Sequence, residues 1–203
     1  ALEIAREHGY KLQETKAYKG LGNAYRRDNQ NQMAIQQFEK ALEIAREHGY
    51  KLQETKAYKG LGNAYRRDNQ NQMAIQQFEK ALEIAREHGY KLQETKAYKG
   101  LGDAYRRDNQ NQMAIQHFEK ALEIAREQGY KEQEAIAYLG LGECYRSRNE
   151  TDAAIEHYKK ASKIAMKQGY DKLEETIKKK LSKFAEQLLI SGHSYQTMGQ
   201  NKE

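Results

Sequence analysis

Apolar residues recur along this chain in paired stripes at helical spacing. Ala17, Tyr18, Leu21, Ala24 and Tyr25 follow one another at steps of one, three, three and one, which gathers them on one side of a helix. Ala34, Ile35, Phe38, Ala41, Leu42 and Ala45 form a second stripe of the same kind. Between the two lies Asp28-Asn29-Gln30-Asn31, where Asn29 is the residue best able to adopt a left-handed conformation. The second stripe stops at Gly49, in the place of a C′ glycine, with Tyr50 set to fold back on Ala45. The pattern predicts helices over 11–27 and 32–48, joined by connections so short that neighbours must run antiparallel.

The same pattern returns with a period of 40 residues. Residues 1–40 are repeated letter for letter by 41–80, and 81–120 differ from them only at Asp103 and His117. A fixed period of this length marks a solenoid, in which each unit buries its apolar face only against its neighbours. The expected organisation is a half repeat at 1–10, then repeats at 11–50, 51–90, 91–130 and 131–170. Residues 171–190 leave the pattern, with Leu181, Ser182 and Ala185 where Leu, Gly and Tyr would fall. Their stripe of Leu173, Ile177, Leu181, Phe184 and Leu188 predicts a terminal capping helix. Residues 191–203 are polar and are read as a flexible tail. The opening ALEIAREHGY reads as the second half of a repeat and not as a signal sequence, so the chain is expected to derive from a longer array or to be built as a segment.

Tyr18-x2-Leu21-Gly22-x2-Tyr25 followed by Ala34, Phe38 and Ala41 resembles the tetratricopeptide repeat pattern. It recurs at Tyr58, Leu61, Gly62, Tyr65, Ala74, Phe78 and Ala81, and again at Tyr98, Leu101, Gly102, Tyr105, Ala114, Phe118 and Ala121. The fourth copy reads Tyr138, Leu141, Gly142, Tyr145, Ala154, Tyr158 and Ala161. Two departures stand out: Tyr18 replaces the family's Trp, and Arg46 stands where a proline often closes the second helix. The longer unit is similar to those of Partner-of-Inscuteable-type scaffolds and kinesin light chains. The resemblance implies an all-α fold, a right-handed α-solenoid of antiparallel helix pairs. Within it, Gly22 would let the helices cross closely against Ala34, while Tyr18, Tyr25 and Phe38 fill the space between units.

Composition narrows the function classes. With 38% hydrophobic and 32% charged residues, the chain is more polar than a compact globule and suits a thin helical stack. No run is long and apolar enough to span a membrane as a helix. The net charge of +6 favours acidic partners, and residues 11–50 contribute seven Lys/Arg against five Asp/Glu, a surplus repeated with each copy. Cys144, alone of its kind, replaces Ala24, Ala64 and Ala104 in register, and is read as a small buried residue of a reducing, cytoplasmic setting. The histidines are too far apart to share a metal and are assigned to the surface. Met33, Met73 and Met113 are assigned to packing, and Glu39, Glu43 and Glu47 to an outer like-charge stripe. No phosphate loop or nucleophile motif is present, so no catalytic residue, metal or cofactor is expected.

On the side of the first helix away from its core stripe, 100° steps place Lys16, Lys19, Gly20, Asn23 and Arg27, with Arg26 at the edge. In tetratricopeptide arrays this face lines the concave groove, so the resemblance implies a ligand surface there. Its rungs recur as Lys56, Lys59, Asn63 and Arg67, and as Lys96, Lys99, Asp103 and Arg107. The fourth turns apolar and acidic, with Ile136, Leu139, Glu143 and Ser147. Helices packed about 8–10 Å apart would meet an extended peptide, rising about 3.3 Å per residue, at every third side chain. Gly20, Gly60 and Gly100 are expected to leave room for its backbone. Lys19 and Asn23 match the first pair of the family's carboxylate clamp, but Gly60 and Gly100 replace later members. The leading expectation is therefore a non-catalytic scaffold that binds an extended acidic segment of a protein or peptide. A structural or designed repeat array that stacks or self-assembles, head to tail through its N-terminal end, comes second, and nucleic-acid binding, for lack of an exposed aromatic series, third.

Overall fold

The computed structural model describes residues 2–190, with side chains through Gln187. Among these residues there are ten helices and no strand. A short α1 (Leu2–Glu7) precedes four helix pairs: α2 (Lys11–Arg27) with α3 (Asn31–Glu47), α4 (Lys51–Arg67) with α5 (Asn71–Glu87), α6 (Lys91–Arg107) with α7 (Asn111–Glu127), and α8 (Lys131–Ser147) with α9 (Thr151–Gln168). Finally α10 (Asp171–Ile190) packs on α9. Each helix contacts the next, and α2, α4, α6 and α8 also contact one another in turn, which is the stacking of a solenoid. The second helices begin one residue earlier than the sequence pattern predicts, because Asn31 and its equivalents already have helical backbone.

The helix ends follow from the turn residues. Asn29, Asn69, Asn109 and Asn149 have φ near +60°, and Gly49, Gly89, Gly129 and Gly169 near +67°. At the end of α3 the Tyr50 N–H donates to the Ala45 carbonyl at 2.8 Å and the Gly49 N–H to Arg46 at 3.2 Å, the paired bonds of a Schellman cap. At the end of α2, Gln30 likewise donates to Tyr25 at 2.9 Å.

The interior is a run of alanines with two buried aromatic rings per unit, a tyrosine of the first helix and a fully enclosed ring of the second. Ala34, Ala41, Ala45, Ala57 and Ala64 are fully buried around Phe38, which is itself fully buried. The ring lies between two glycines. A methyl group on Gly22 of the same unit would fall 2.9 Å from it, and one on Gly60 of the next unit 2.5 Å. Phe78 sits in the same way between Gly62 and Gly100, and Phe118 between Gly102 and Gly140. The space off the Cα of Gly60 and Gly100 is therefore filled by a phenylalanine ring, although both glycines also line the surface of the groove. Gly22 faces Phe38 too, and a methyl on its fourth-copy equivalent Gly142 would fall 3.3 Å from the Ala154 carbonyl. Met33, Met73 and Met113, expected to pack, are exposed instead.

The series changes at α9 and α10. Tyr158 replaces the phenylalanine, and Lys180 of α10 stands where α4, α6 and α8 have glycine. The Tyr158 hydroxyl donates to Glu143 Oε1 at 2.6 Å, Lys180 pairs with the same carboxylate at 3.1 Å, and Phe184 meets the Tyr158 ring edge-on. Ile177 is fully buried and Leu173 and Leu181 partly so; Leu188 and the tail at 191–203 lie outside the described side chains.

A paired prediction follows. Gly60→Ala should destabilise the protein by about 1–3 kcal/mol, since its methyl overpacks against Phe38. Gly20→Ala, in the same sequence context but with nothing within 4 Å, should stabilise by about 1 kcal/mol. Urea denaturation of both variants checks it; shifts of the same sign would contradict the ring-slot assignment.

Candidate ligand-binding groove

The contacts among α2, α4, α6 and α8 bring the predicted face into one continuous surface with two hollows. The larger, about 450 Å³, lies over α2, α4 and α6 and is walled by Lys19, Arg26, Lys56, Lys59 and Lys96, with Asn23 and Asn63 between them. The smaller, about 190 Å³, is shifted along the array, with Lys59, Lys96 and Lys99 on one side and Gln133 and Ile136 on the other, over Gly100 and the edge of Phe78. No acidic side chain lines either hollow.

Lys59 is the centre of this arrangement. Burial, and then the charges of Lys96, Lys19, Lys56 and Arg26, lower its ammonium from the usual lysine value to about 8. No described residue hydrogen-bonds or ion-pairs with it, and Gln93 Oε1, which lines the same hollow, is buried without a donor. One unit earlier, Lys19 does find that partner: its Nζ donates to Gln53 Oε1 at 3.1 Å. Lys19 is lowered as well, by burial and then by Lys56 and Lys16.

The arginines are placed differently from the helical-wheel expectation. Arg67 reaches back to the preceding turn, donating to the Arg26 carbonyl at 2.8 Å and to Asn29 Oδ1 at 3.4 Å, and Arg107 does the same toward Arg66 at 3.3 Å. Arg27, Arg67 and Arg107 are exposed at that edge. It is Arg26 that lines the hollow, bonded to Asn23 at 3.3 Å; Arg66 bonds to Asn63 in the same way. The Nε–H groups of Arg26, Arg66 and Arg106 are buried without a protein acceptor. Lys16 is exposed on the α2 side.

At the third rung, Asp103 replaces the asparagine. It pairs with Lys99 at 2.6 Å and with Arg66 at 3.8 Å. Burial pushes its carboxyl up, but Lys99 and Arg66 outweigh that and hold it below the ordinary aspartate value. At the fourth rung Ile136 lines the smaller hollow, whereas Leu139 is half-buried against the core. Glu143 is buried and bound by Tyr158, Lys180 and Arg146, so its carboxylate is engaged within the protein, and it lines neither of these hollows but a separate one with Lys183 and Phe184. Ser147 donates to the Glu143 carbonyl at 2.9 Å.

A second network escaped the sequence pattern. Glu54 is only 5% exposed, where helical-wheel reasoning makes it a surface charge. Lys51 Nζ meets it at 2.9 Å and Arg46 Nε at 3.4 Å, while Arg46 also donates to the Tyr58 hydroxyl and covers that ring at 5.2 Å. The clip recurs at Arg86, Glu94 and Tyr98, and at Arg126, Glu134 and Tyr138. Arg46, in the place of the family's proline, thus ties the lengthened second helix to the next unit. The visible signal was the exact co-recurrence of Arg46, Glu54 and Tyr58 with the repeat.

The remaining chemistry-bearing residues are structural. His48 and His88 are exposed and lean on Tyr50 and Tyr90. His117, assigned to the surface, is half-buried and stacked on Tyr105 at 5.1 Å; burial, then Lys120, lowers it to about 4. Burial raises the Cys144 thiol to about 12. Among the described residues no group of His, Cys, Asp and Glu is gathered as a metal site, and no helix is long and apolar enough to cross a membrane.

Paired helices stacked into a solenoid, with successive first helices presenting one basic face, define a helical-repeat protein. The tetratricopeptide repeat profile matches residues 15–87 and 92–167, and the chain belongs to that family. The apo form of RapI is similar in structure, with a TM-score of 0.78 at 20% identity over 95% of this chain and 73% of that one. The Rap conjugation gene regulator of plasmid pLS20, in complex with the Phr* peptide, gives 0.70 at 19% identity over 81% and 45%. A Podospora anserina chain named for a kinesin light chain with nearly identical TPR-like repeats gives 0.63 at 19% identity over 77% of each. These identities establish a shared fold. No curated protein matches at the sequence level.

The depressed Lys59 carries a sign. The unfolded chain binds this proton up to about 10.5 and the folded chain only to about 8, so between those values folding releases a proton and stability rises with pH. Below pH 8 the crowded cation opposes folding. Lys59→Met should therefore stabilise the protein at pH 7, and its advantage should shrink toward pH 10. Denaturation midpoints of both proteins at pH 7 and 9.5 check this; an advantage that grows with pH would contradict it.

Proposed function

We propose that this protein is a non-catalytic interaction scaffold whose basic groove holds an extended acidic segment of a protein or peptide. The observation that carries the reading is the Lys59 ammonium, half-buried, ringed by four cations and given no acceptor by the protein. Such a cluster opposes folding, and an incoming carboxylate would neutralise the repulsion and complete the missing hydrogen bonds. Further support comes from the regulator of plasmid pLS20, whose related fold was solved with a peptide bound. The acidic segment would run across α2, α4 and α6, meeting Lys19, Lys59 and Lys96 in succession. The single thiol, buried and unreactive, accords with a reducing, cytoplasmic setting.

Head-to-tail self-association is the second reading. It is favoured by the letter-for-letter recurrence of residues 1–40 at 41–80, which gives successive units matching faces. A mass that rises with concentration would support it. Nucleic acid ranks below both, since among the described residues the aromatic rings that line the groove, Phe38 and Phe78, are fully buried and offer no stacking surface.

Fluorescence anisotropy with a labelled glutamate-rich peptide tests the main reading. The triple variant Lys19→Glu, Lys59→Glu, Lys99→Glu should lose more than about tenfold in affinity, equivalent to about 1.4 kcal/mol. Asp103→Asn restores the residue found at Asn23 and Asn63, frees Lys99 and Arg66, and should tighten binding. Equal affinity across the three proteins would overturn the reading.

A further inference from the structure

We infer that the groove selects a two-part ligand: an acidic stretch over the larger hollow and, about three residues away, one aliphatic side chain in the smaller hollow beside Ile136. This rests on the scaffold reading above and specifies its ligand class.

The two hollows share Lys59, Asn63 and Lys96 and differ in what surrounds them. The larger adds Lys19, Lys56 and Arg26, beside Leu92, Gly60 and Phe38. The smaller has the equivalent Gly100 and Phe78, but in place of those cations it adds Ile136, Thr95, Gln133 and Lys99. In the register of the array, Ile136 occupies the position of Lys16, Lys56 and Lys96, so the change from cation to aliphatic falls at one rung only. Of the three lysines that line it, Lys99 is already bound to Asp103 at 2.6 Å, while Lys59 and Lys96 are shared with the larger hollow. At about 190 Å³ the hollow is smaller than the roughly 300–1,000 Å³ typical of small-molecule sites, and suits a single side chain. The offset between hollows is about one helix spacing, roughly 8–10 Å, which an extended peptide covers in about three residues. An acid drawn to the shared Lys59 and Lys96 meets further cations in the larger hollow, whereas the smaller adds only uncharged groups, Ile136 among them, and an already paired lysine. An aliphatic group there would leave water without stranding a charge.

Three peptides test the inference by anisotropy: a run of glutamates with a leucine three positions from the nearest acid, the same peptide with serine for leucine, and one with leucine adjacent to the acids. The leucine at three positions should tighten binding about tenfold over serine, equivalent to about 1.4 kcal/mol, and the adjacent leucine should not. Ile136→Lys, which installs the residue of the other three rungs, should abolish the leucine advantage while keeping or improving binding of the serine peptide. Its melting curve confirms that it folds. Equal binding of leucine and serine peptides by the parent protein would overturn this inference and leave the scaffold reading standing. Failure of all three peptides to bind would overturn both.

Discussion

Everything in this array depends on an aromatic ring held between two glycines. Phe38 comes from α3, but its faces belong to Gly22 of its own unit and Gly60 of the next. A side chain at either glycine would push the first helices away from the ring, so these two residues set how closely successive units approach. Two glycines in each first helix cost helix propensity of about 1 kcal/mol apiece, and burial of a whole ring offsets it. The Arg46–Glu54–Tyr58 clip acts at the same junction from the other end of the helix, adding direction to a contact that apolar packing alone would leave free to slide.

That spacing makes the groove. With α2, α4 and α6 held close, lysines that would be independent surface charges in isolated helices share one poorly solvated space. The crowd around Lys59 is thus a consequence of the ring slots, forty residues of sequence at a time. Position in the stack matters as much as local sequence. Lys19 and Lys59 have identical neighbours in the chain, yet Lys19 finds Gln53 while Lys59 finds no acceptor. Substitutions in the third and fourth copies then break the periodicity. Asp103 neutralises one rung, Ile136 makes the next apolar, and Tyr158 with Lys180 closes the series by engaging Glu143.

The fold was legible because its information is periodic. Helix ends at Asn29 and Gly49, the antiparallel pairs and the family pattern all follow from residues repeated in register. The wheel reasoning also placed Lys19, Lys59 and Asn63 on a common face, and the structure brings these around one hollow. It went astray where the deciding partner lies on another helix. Arg26 and Arg27 differ by one 100° step, and only the neighbouring turn determines that the second arginine of the pair reaches backward, as Arg67 does. Glu54 looks like a surface charge until Arg46 reaches it, and Glu143 looks like a groove rung until Tyr158 and Lys180 engage it. Gly60 lines the hollow as expected, but the ring that fills the space off its Cα, Phe38, lies twenty-two residues upstream and was not visible in the pattern. Met33 looked like packing, yet no neighbouring helix covers it fully.

The central claim is that the surface shared by α2, α4 and α6 is built to receive an acidic chain. A crystal structure of the protein with a bound glutamate-rich peptide tests it most directly. The account predicts an extended peptide crossing the first helices, with a carboxylate within hydrogen-bond distance of Lys59 Nζ. A peptide seated elsewhere, on the exposed face of α3 and α5, would contradict it.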